Sequence, residues 1–298
     1  MFSSTIIPTV NRPSLSRAVH SVLDQPFDDD DFEVIVVNDS GGPLAPSAWA
    51  ASPRVRIVET SRRERSVARN AGAALARGTY LNFLDDDDLL APGALAAWWE
   101  LARIDAEADW LLGGWRTVDN GGRPCEEFHP PMTGNIFALL VSGEGLPLQA
   151  SLLRTSRFFD VGGFDPAPEL VGVEDRDVGR RMALVSGIAH TPALVAVIRI
   201  GAVGSTTDWS IVAEGDRLGR EKALAAPGAF PRAWSSAISG YWRGRLGRAY
   251  VASAVWNLRR RRVRTAVRRL GSAAIIALRS ALRRGFWHGL RTSVGGRP

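Results

Sequence analysis

Four aspartates, Asp85, Asp86, Asp87 and Asp88, follow one another without a spacer between Tyr80-Leu-Asn-Phe-Leu84 and Leu89-Leu90. The residues before them, aromatic or apolar apart from Asn82, read as a short buried strand. The carboxylates then fall at the carboxyl edge of that strand, where open α/β sheets bind ligands. Hard oxygen donors in such a place suit Mg²⁺ or Mn²⁺, ions usually shared with substrate phosphates. A solvated acidic turn is the competing reading. The chain carries its own control: Asp28-Asp-Asp-Asp31 follows Pro26-Phe27 rather than a strand, and reads as a loop. Acids sit at two more element ends. Asp39 closes an apolar run within Asn38-Asp-Ser-Gly-Gly42, and Glu174-Asp-Arg-Asp177 opens a helical pattern, where the helix dipole also favours acids for purely structural reasons.

The elements that would position these acids are legible in order. Residues 3–7 read as a first strand, and Ser14 as an N-cap ahead of Leu15, Ala18, Val19, Val22 and Leu23 at helical spacing. Phe32-Glu-Val-Ile-Val-Val37 is the nearly continuous run of a buried parallel strand. Strand, helix and strand in this order predict a βαβ unit with a right-handed crossover. A third strand at 55–58 and a helix over 66–77, ending at Gly78, lead into the strand before the four aspartates. The first ninety residues thus predict β-α-β-α-β-α-β, with polar clusters along one sheet edge. Further on, the patterns give a helix over 94–108, a strand over 110–115, irregular chain over 119–147, a strand over 148–153, a helix from 174 through 184 and a last strand over 193–200.

Composition bounds the class. The chain has 298 residues, 45% of them hydrophobic, enough for one large domain or one domain plus an extension. Cys125 is the only cysteine, which rules out an intrachain disulfide and fits a reducing compartment. The first residues lack the basic and apolar regions of a secretory signal, and no window is apolar enough for a spanning helix. The net charge of +6 hides an asymmetry: residues 222–298 carry 17 basic residues and no acid, whereas residues 1–221 carry 20 basic and 31 acidic ones. That division predicts a body over 1–221 and a basic, Arg- and Trp-rich helical extension over 222–298.

Taken together, Ile6-Ile-Pro-Thr-Val-Asn-Arg-Pro13, Glu33-Val-Ile-Val-Val-Asn-Asp-Ser40, Ala68-Arg-Asn-Ala-Gly72, Arg77-Gly-Thr-Tyr-Leu-Asn-Phe-Leu-Asp-Asp-Asp-Asp-Leu89, Gly162-Gly-Phe-Asp165 and Glu174-Asp175 resemble the family 2 glycosyltransferases. They stand in that family's order over residues 3–207. The resemblance implies the GT-A fold, an α/β architecture with a mostly parallel sheet and helices on both faces, and inverting sugar transfer from a UDP-, GDP- or dTDP-sugar. It implies that Pro8, Thr9 and Asn11 lie against the nucleotide and that Asp39 holds the base, with Asn38 replacing a commoner Asp. The family's DxD pair falls on Asp85 and Asp87. Asp87 would be the direct ligand of Mg²⁺ or Mn²⁺ with Asp85 beside it, Asp85 and Asp86 would face the ribose and sugar, and Asp175 would be the general base. Arg65 and Arg69 read as phosphate contacts or as solvated helix arginines. One departure stands out: where many relatives have a histidine after the last strand, this chain has Arg199-Ile-Gly-Ala-Val-Gly-Ser-Thr206, and Ser205 or Thr206 are the candidates to replace it. His20, His129, His190 and His288 are scattered and read as structural or surface residues.

The chemistry implied makes sense of the acids. A nucleoside-diphosphate leaving group develops charge that a cation can offset, and an acceptor hydroxyl must lose its proton to a nearby base. The acceptor would be a carbohydrate or lipid-linked chain in cell-surface polysaccharide or glycolipid synthesis, with its pocket built largely from residues 115–170. In the extension, residues 233–290, arginines lie beside Trp242, Trp256 and Trp287 among apolar residues, which fits an anionic membrane surface better than nucleic acid. A helical cap packed on the body is the structural alternative. The expected location is cytoplasmic, peripheral on the inner face of the cell membrane. Two other functions compete. A nucleotidyltransferase would show a Gly-rich phosphate loop after strand one, which Pro8-Thr-Val-Asn-Arg-Pro13 is not. A catalytically weak protein of the same fold, docking to membrane or partner, would bind no donor.

Overall fold

The computed structural model describes residues 1–28, 31–60, 64–201 and 209–292, so Asp29, Asp30, Ser205 and Thr206 lie outside the described residues. Its first part runs β1 (Ser3–Thr9), α1 (Leu15–Leu23), β2 (Phe32–Asn38), β3 (Val55–Glu59), α2 (Arg65–Leu75) and β4 (Tyr80–Phe83). Between β2 and β3 the expected helix is only a 3-10 turn, Ala48–Ala51. β1 lies between β2 and β4 and parallel to both, and β3 extends the sheet beside β2. Ile6, Ile7, Val34, Val36 and Leu81 have no exposed surface, because helices cover both faces of these strands. The helix α2 approaches closely enough that a side chain at Gly72 would meet Ile6 at 2.6 Å. Parallel strands end at one edge, so Thr9, Asn38 and Phe83 bring three loops together there.

The sheet then changes character. Next come β5 (Leu89–Leu90), α3 (Ala94–Ile104), β6 (Trp110–Val118), β7 (Pro124–Phe128), α4 (Phe137–Val141), β8 (Ser151–Arg154), α5 (Thr155–Asp160), α6 (Glu174–Val185) and β9 (Ile188–Arg199). The strand order is β3-β2-β1-β4-β8-β6-β9-β5, with β7 paired to β6 off this path. β8 is antiparallel to both β4 and β6, and β5 is antiparallel to β9, while β6 and β9 run parallel. The expected mostly parallel sheet is therefore parallel in its first half and mixed in its second. Antiparallel entry into β8 has a consequence for function: the residues just before it arrive at the carboxyl edge of β4. Leu148–Ala150, expected to be strand, form a 3-10 turn at that point. Residues 119–147, expected to be irregular, contain the β7 hairpin strand and α4.

Among the described residues five helices follow: α7 (Trp209–Ala225), α8 (Ala229–Ser235), α9 (Gly240–Arg259), α10 (Val263–Ser280) and α11 (Phe286–Arg291). The charge boundary at 221/222 falls inside α7 rather than in a linker. Glu221 is buried and accepts hydrogen bonds from Ser253 Oγ at 2.8 Å and Asn257 Nδ2 at 2.9 Å, tying α7 to α9. Arg245 on α9 donates to Ser142 O just beyond α4, and Tyr250 packs edge-on to Phe230. The extension is a helical cap seated on the body. No helix among the described residues is long and apolar enough to cross a membrane.

Candidate active site

The loop after β1 sets the first part of the site. Thr9 Oγ1 donates to Asp86 Oδ2 at 2.6 Å and accepts from the Asn11 N–H at 2.9 Å. Asn11 adopts a left-handed backbone, φ 66°, a conformation asparagine tolerates better than most residues. Its side chain turns away from the aspartates, donating to Pro43 O and accepting from the Ala45 N–H. Asn11 therefore holds the loop after β2 and does not line the cleft, unlike Pro8 and Thr9. The tight turn returns the next residue, Arg12, over the carboxylates. Its Nη1 donates to Asp86 Oδ1 at 2.9 Å and to Asp87 Oδ2 at 3.2 Å.

At the end of β2, Asn38 and Asp39 divide their work. Asn38 is buried and ties its own turn, donating to Gly42 O and accepting from the Ser40 hydroxyl and N–H. An amide does both, where a carboxylate could only accept, which accounts for the unusual Asn. Asp39 is also buried, accepts from Thr60 Oγ1 at 2.7 Å, and lines the cleft.

The four aspartates occupy four different environments. Asp85 accepts from Arg69 Nη2 at 2.7 Å on one oxygen and from Gln149 Nε2 at 3.0 Å on the other. Burial works against its charge, but Arg69 outweighs burial and holds its carboxyl below the ordinary range. Asp86 is pushed up by burial despite Thr9 and Arg12, and Asp87 by burial together with Asp85. Asp88, 3% exposed, accepts from the Arg199 N–H at 2.7 Å and from Gln149 Nε2 at 2.9 Å. Burial, then Asp85 and Asp87, raise its carboxyl well above the usual range. Three raised carboxyls beside one lowered one mark an edge where negative charge is costly and a cation would offset it. Hard oxygen donors in that state fit a divalent cation. Among the described residues no three candidate ligands converge on one point, so an ion here would complete its shell with substrate oxygens or water.

Arg69 joins this cluster to a second one. Its pKa is raised, because Asp85 and Glu174 outweigh the burial that opposes its charge. It donates to Glu174 Oε1 at 2.9 Å and lies over the Phe164 ring, 5.3 Å from its centroid. Phe164 is held there by Asn70, whose amide donates to Phe164 O and accepts from its N–H. Two of the sequence motifs thus meet to seat one arginine. Glu174 is a buried anchor that also accepts from the Gly172 N–H at 2.7 Å. The next residue, Asp175, in the first turn of α6, accepts from the Arg176 N–H at 2.7 Å and lines a small recess with Phe83 and Leu148. Burial and Glu174 raise its carboxyl.

The main cleft, about 260 Å³, is lined by Pro8, Thr9, Arg12, Asp39, Arg65, Arg69, the four aspartates, Gln149 and Arg199. The Asp175 recess shares Arg65, Arg69, Asp85 and Gln149 with it. Arg12, Gln149 and Arg199 have no role readable from the sequence, and Asp88 has none of its own beyond the run of four. Arg12 stands inside a motif already singled out, and Gln149 is a lone amide in the apolar run Leu146-Pro-Leu-Gln-Ala-Ser-Leu-Leu153. None of the four histidines lines either space.

Comparison with known proteins follows the same residues. Residues 4–139 match the family described as glycosyl transferase family 2. The poly(ribitol-phosphate) beta-N-acetylglucosaminyltransferase TarP of Staphylococcus aureus (strain N315) is 30% identical over 124 residues, 40% of this chain and 38% of TarP. The succinoglycan biosynthesis protein ExoO of Rhizobium meliloti (strain 1021) is 38% identical over 110 residues, 36% of this chain and 29% of ExoO. The matched stretches thus span well under half the length of these curated relatives. The crystal structure of S. aureus TarS 1-349 in complex with UDP-GlcNAc aligns at a TM-score of 0.62 and 15% identity, covering 94% of this chain and 92% of that one. That likeness shows the GT-A-type α/β fold, including helices at the C-terminal end.

Proposed function

With residues 4–139 matching glycosyl transferase family 2, we propose that this chain is an inverting glycosyltransferase moving a sugar from a nucleotide-diphosphate donor to an acceptor hydroxyl. One observation carries this reading: Asp39, the four aspartates and Asp175 come from distant parts of the chain to two adjoining recesses that share Arg65, Arg69, Asp85 and Gln149. In this reading Pro8, Thr9 and Asp39 hold the nucleoside, and Asp85 and Asp86 face the ribose and sugar. Arg12, Arg65 and Arg69 supply positive charge to the diphosphate. A divalent cation, Mg²⁺ or Mn²⁺, bound through Asp87 with Asp85 behind it, would supply Lewis-acid stabilisation of the leaving group. The acceptor oxygen bonds to the anomeric carbon as that carbon's bond to the diphosphate breaks, and the electron pair leaves with the nucleoside diphosphate. Asp175 takes the hydroxyl proton. One in-line displacement with no covalent intermediate inverts the carbon.

A raised carboxyl suits a base, because its proton affinity lies closer to working pH. TarS was crystallised with UDP-GlcNAc, and the names of TarP and ExoO refer to N-acetylglucosaminyl transfer to poly(ribitol-phosphate) and to succinoglycan biosynthesis. They support a UDP-sugar ahead of GDP- or dTDP-sugars, and a cell-surface polysaccharide or glycolipid acceptor. The basic extension supports work at the cytoplasmic face of an anionic membrane, attached peripherally through residues 233–290.

The test is donor binding and slow hydrolysis over a panel of UDP-, GDP- and dTDP-sugars, with Mn²⁺ or with EDTA. Metal-dependent binding of one donor is expected, and Asp87→Ala should abolish it. Asp175→Asn should keep binding and lower turnover by about a thousandfold. In the unsubstituted protein turnover should rise with pH through a value above the ordinary 3.8, since burial and Glu174 raise Asp175 and only its ionised form accepts the proton. If no donor binds with or without metal, the enzyme reading fails and the docking protein of the same fold takes its place.

A further inference from the structure

The extension carries a face whose chemistry has no use in the cleft. α10 is a two-sided helix. Its inner side, with Ala266, Arg269, Ala273, Ile276 and Ser280 buried, packs on the rest of the cap. At helical spacing along its exposed side stand Val263, Val267, Leu270, Ala274 and Leu278, a single apolar stripe. Leu270 is 51% exposed, Val267 63% and Leu278 85%. Exposed Arg264, Arg268 and Arg279 flank this stripe, and Leu282 and Trp287 beyond the helix are exposed beside Arg283 and Arg284. By contrast, the tryptophans nearer the body are used internally: Trp256 is buried with the Arg260 guanidinium 3.7 Å from its ring centroid, and Trp242 packs with Arg245.

We propose that the outer face of α10 is the surface by which this protein lies on an anionic lipid bilayer, the apolar stripe entering the acyl boundary and the flanking arginines meeting the headgroups. This deepens the membrane attachment proposed above and rests on it. Charge decides the occupant. No acid follows Glu221, so a second copy docking by the same face would set arginines against arginines. A nucleic-acid surface would need the cations alone, whereas here an apolar stripe runs along the exposed side next to them. A lipid surface takes both, and neither alone holds a protein stably.

The experiment uses the full chain in vesicle flotation, without donor, on phosphatidylcholine alone and on vesicles containing roughly one-third phosphatidylglycerol. Binding to the anionic vesicles only is expected, weakening with salt. Leu270→Glu/Leu278→Glu should weaken it by about tenfold or more, since both side chains leave the acyl boundary. Arg264→Gln/Arg268→Gln should reduce the salt-sensitive part, and Leu75→Glu, an exposed position on α2, should change nothing. Far-UV circular dichroism and donor binding in free solution check that each variant is folded. If the unsubstituted chain floats but the α10 variants float equally well, the face is wrong and the membrane attachment stands. If it does not float, both fall while the donor test remains. A lipid-free dimer dissolved by Leu270→Glu/Leu278→Glu, or tighter binding to duplex DNA than to vesicles, would also overturn the proposal.

Discussion

Four consecutive carboxylates at the end of one strand cannot all be ionised at equal cost, and the structure distributes that cost unevenly. Asp85 has Arg69; among the described residues Asp88 has the Arg199 N–H and the Gln149 amide as hydrogen-bond donors. Burial comes first in raising Asp88, and Asp85 and Asp87 add to it. Asp86, Asp87 and Asp175 shift the same way, and Asp85 the opposite way. The linkage then has a definite sign. As pH climbs above 3.8 the unfolded chain gives up the Asp88 proton while the folded one keeps it. Folding stability therefore falls with rising pH until the raised value is passed. The contribution of Asp85 is complete above 3.8 and is lost as pH drops through its lowered value. Urea melts from about pH 4 to about pH 8 should show a decline that Asp88→Asn partly removes. An unchanged slope in that variant would mean that Asp88 is not the strained member of the cluster.

Among the elements, α9 and α11 meet through their glycines. A side-chain carbon at Gly244 would fall on Phe286 O, and one at Gly289 on Tyr241 O. Backbone oxygens cannot step aside alone, so Gly244→Ala should destabilise the protein by about 1–3 kcal/mol and speed tryptic cleavage at the exposed Arg283 and Arg284. Gly271, on the outer side of α10 with nothing within 4 Å, is the control. There Gly271→Ala should stabilise by up to about 1 kcal/mol, because only the helix propensity changes. Such approaches between helices leave no periodic signal, and the same is true of much that the sequence left unread. β1, β2 and β4 were legible because burial on both faces forces unbroken apolar runs. β5 is two residues long and β7 is an exposed edge, so neither carries a pattern. Gln149 reaches Asp85 and Asp88 only because β8 runs antiparallel, a fact of topology rather than of local spacing. Arg12 rather than the expected Asn11 meets the cleft for a similar reason: the left-handed turn at Asn11 decides which of the two faces the carboxylates.

For the whole molecule, the charge divide at residue 221 is sharp, yet the packing runs straight across it. Several of the arginines that make residues 222–298 basic are internal, among them Arg243, Arg245 and Arg269. On the other side of the divide, Arg180 of α6 is 1% exposed, donates to Asp216 Oδ1 of α7 and also to Leu140 O in α4. Arg180 and Arg220 outweigh burial and hold the Asp216 carboxyl below the ordinary range. The helix bearing Asp175 is thus fixed to α7, and α7 through Glu221 to α9. Charge marks where a membrane could act, while cooperativity follows these buried contacts. The full chain should then unfold in one calorimetric transition with matching calorimetric and van't Hoff enthalpies. Glu221→Ala strands the Ser253 and Asn257 donors and should cost about 1–3 kcal/mol, moving that single transition as a whole. Two resolved transitions, with only one moved by Glu221→Ala, would instead make the basic cap an independent unit and free the body's stability from it.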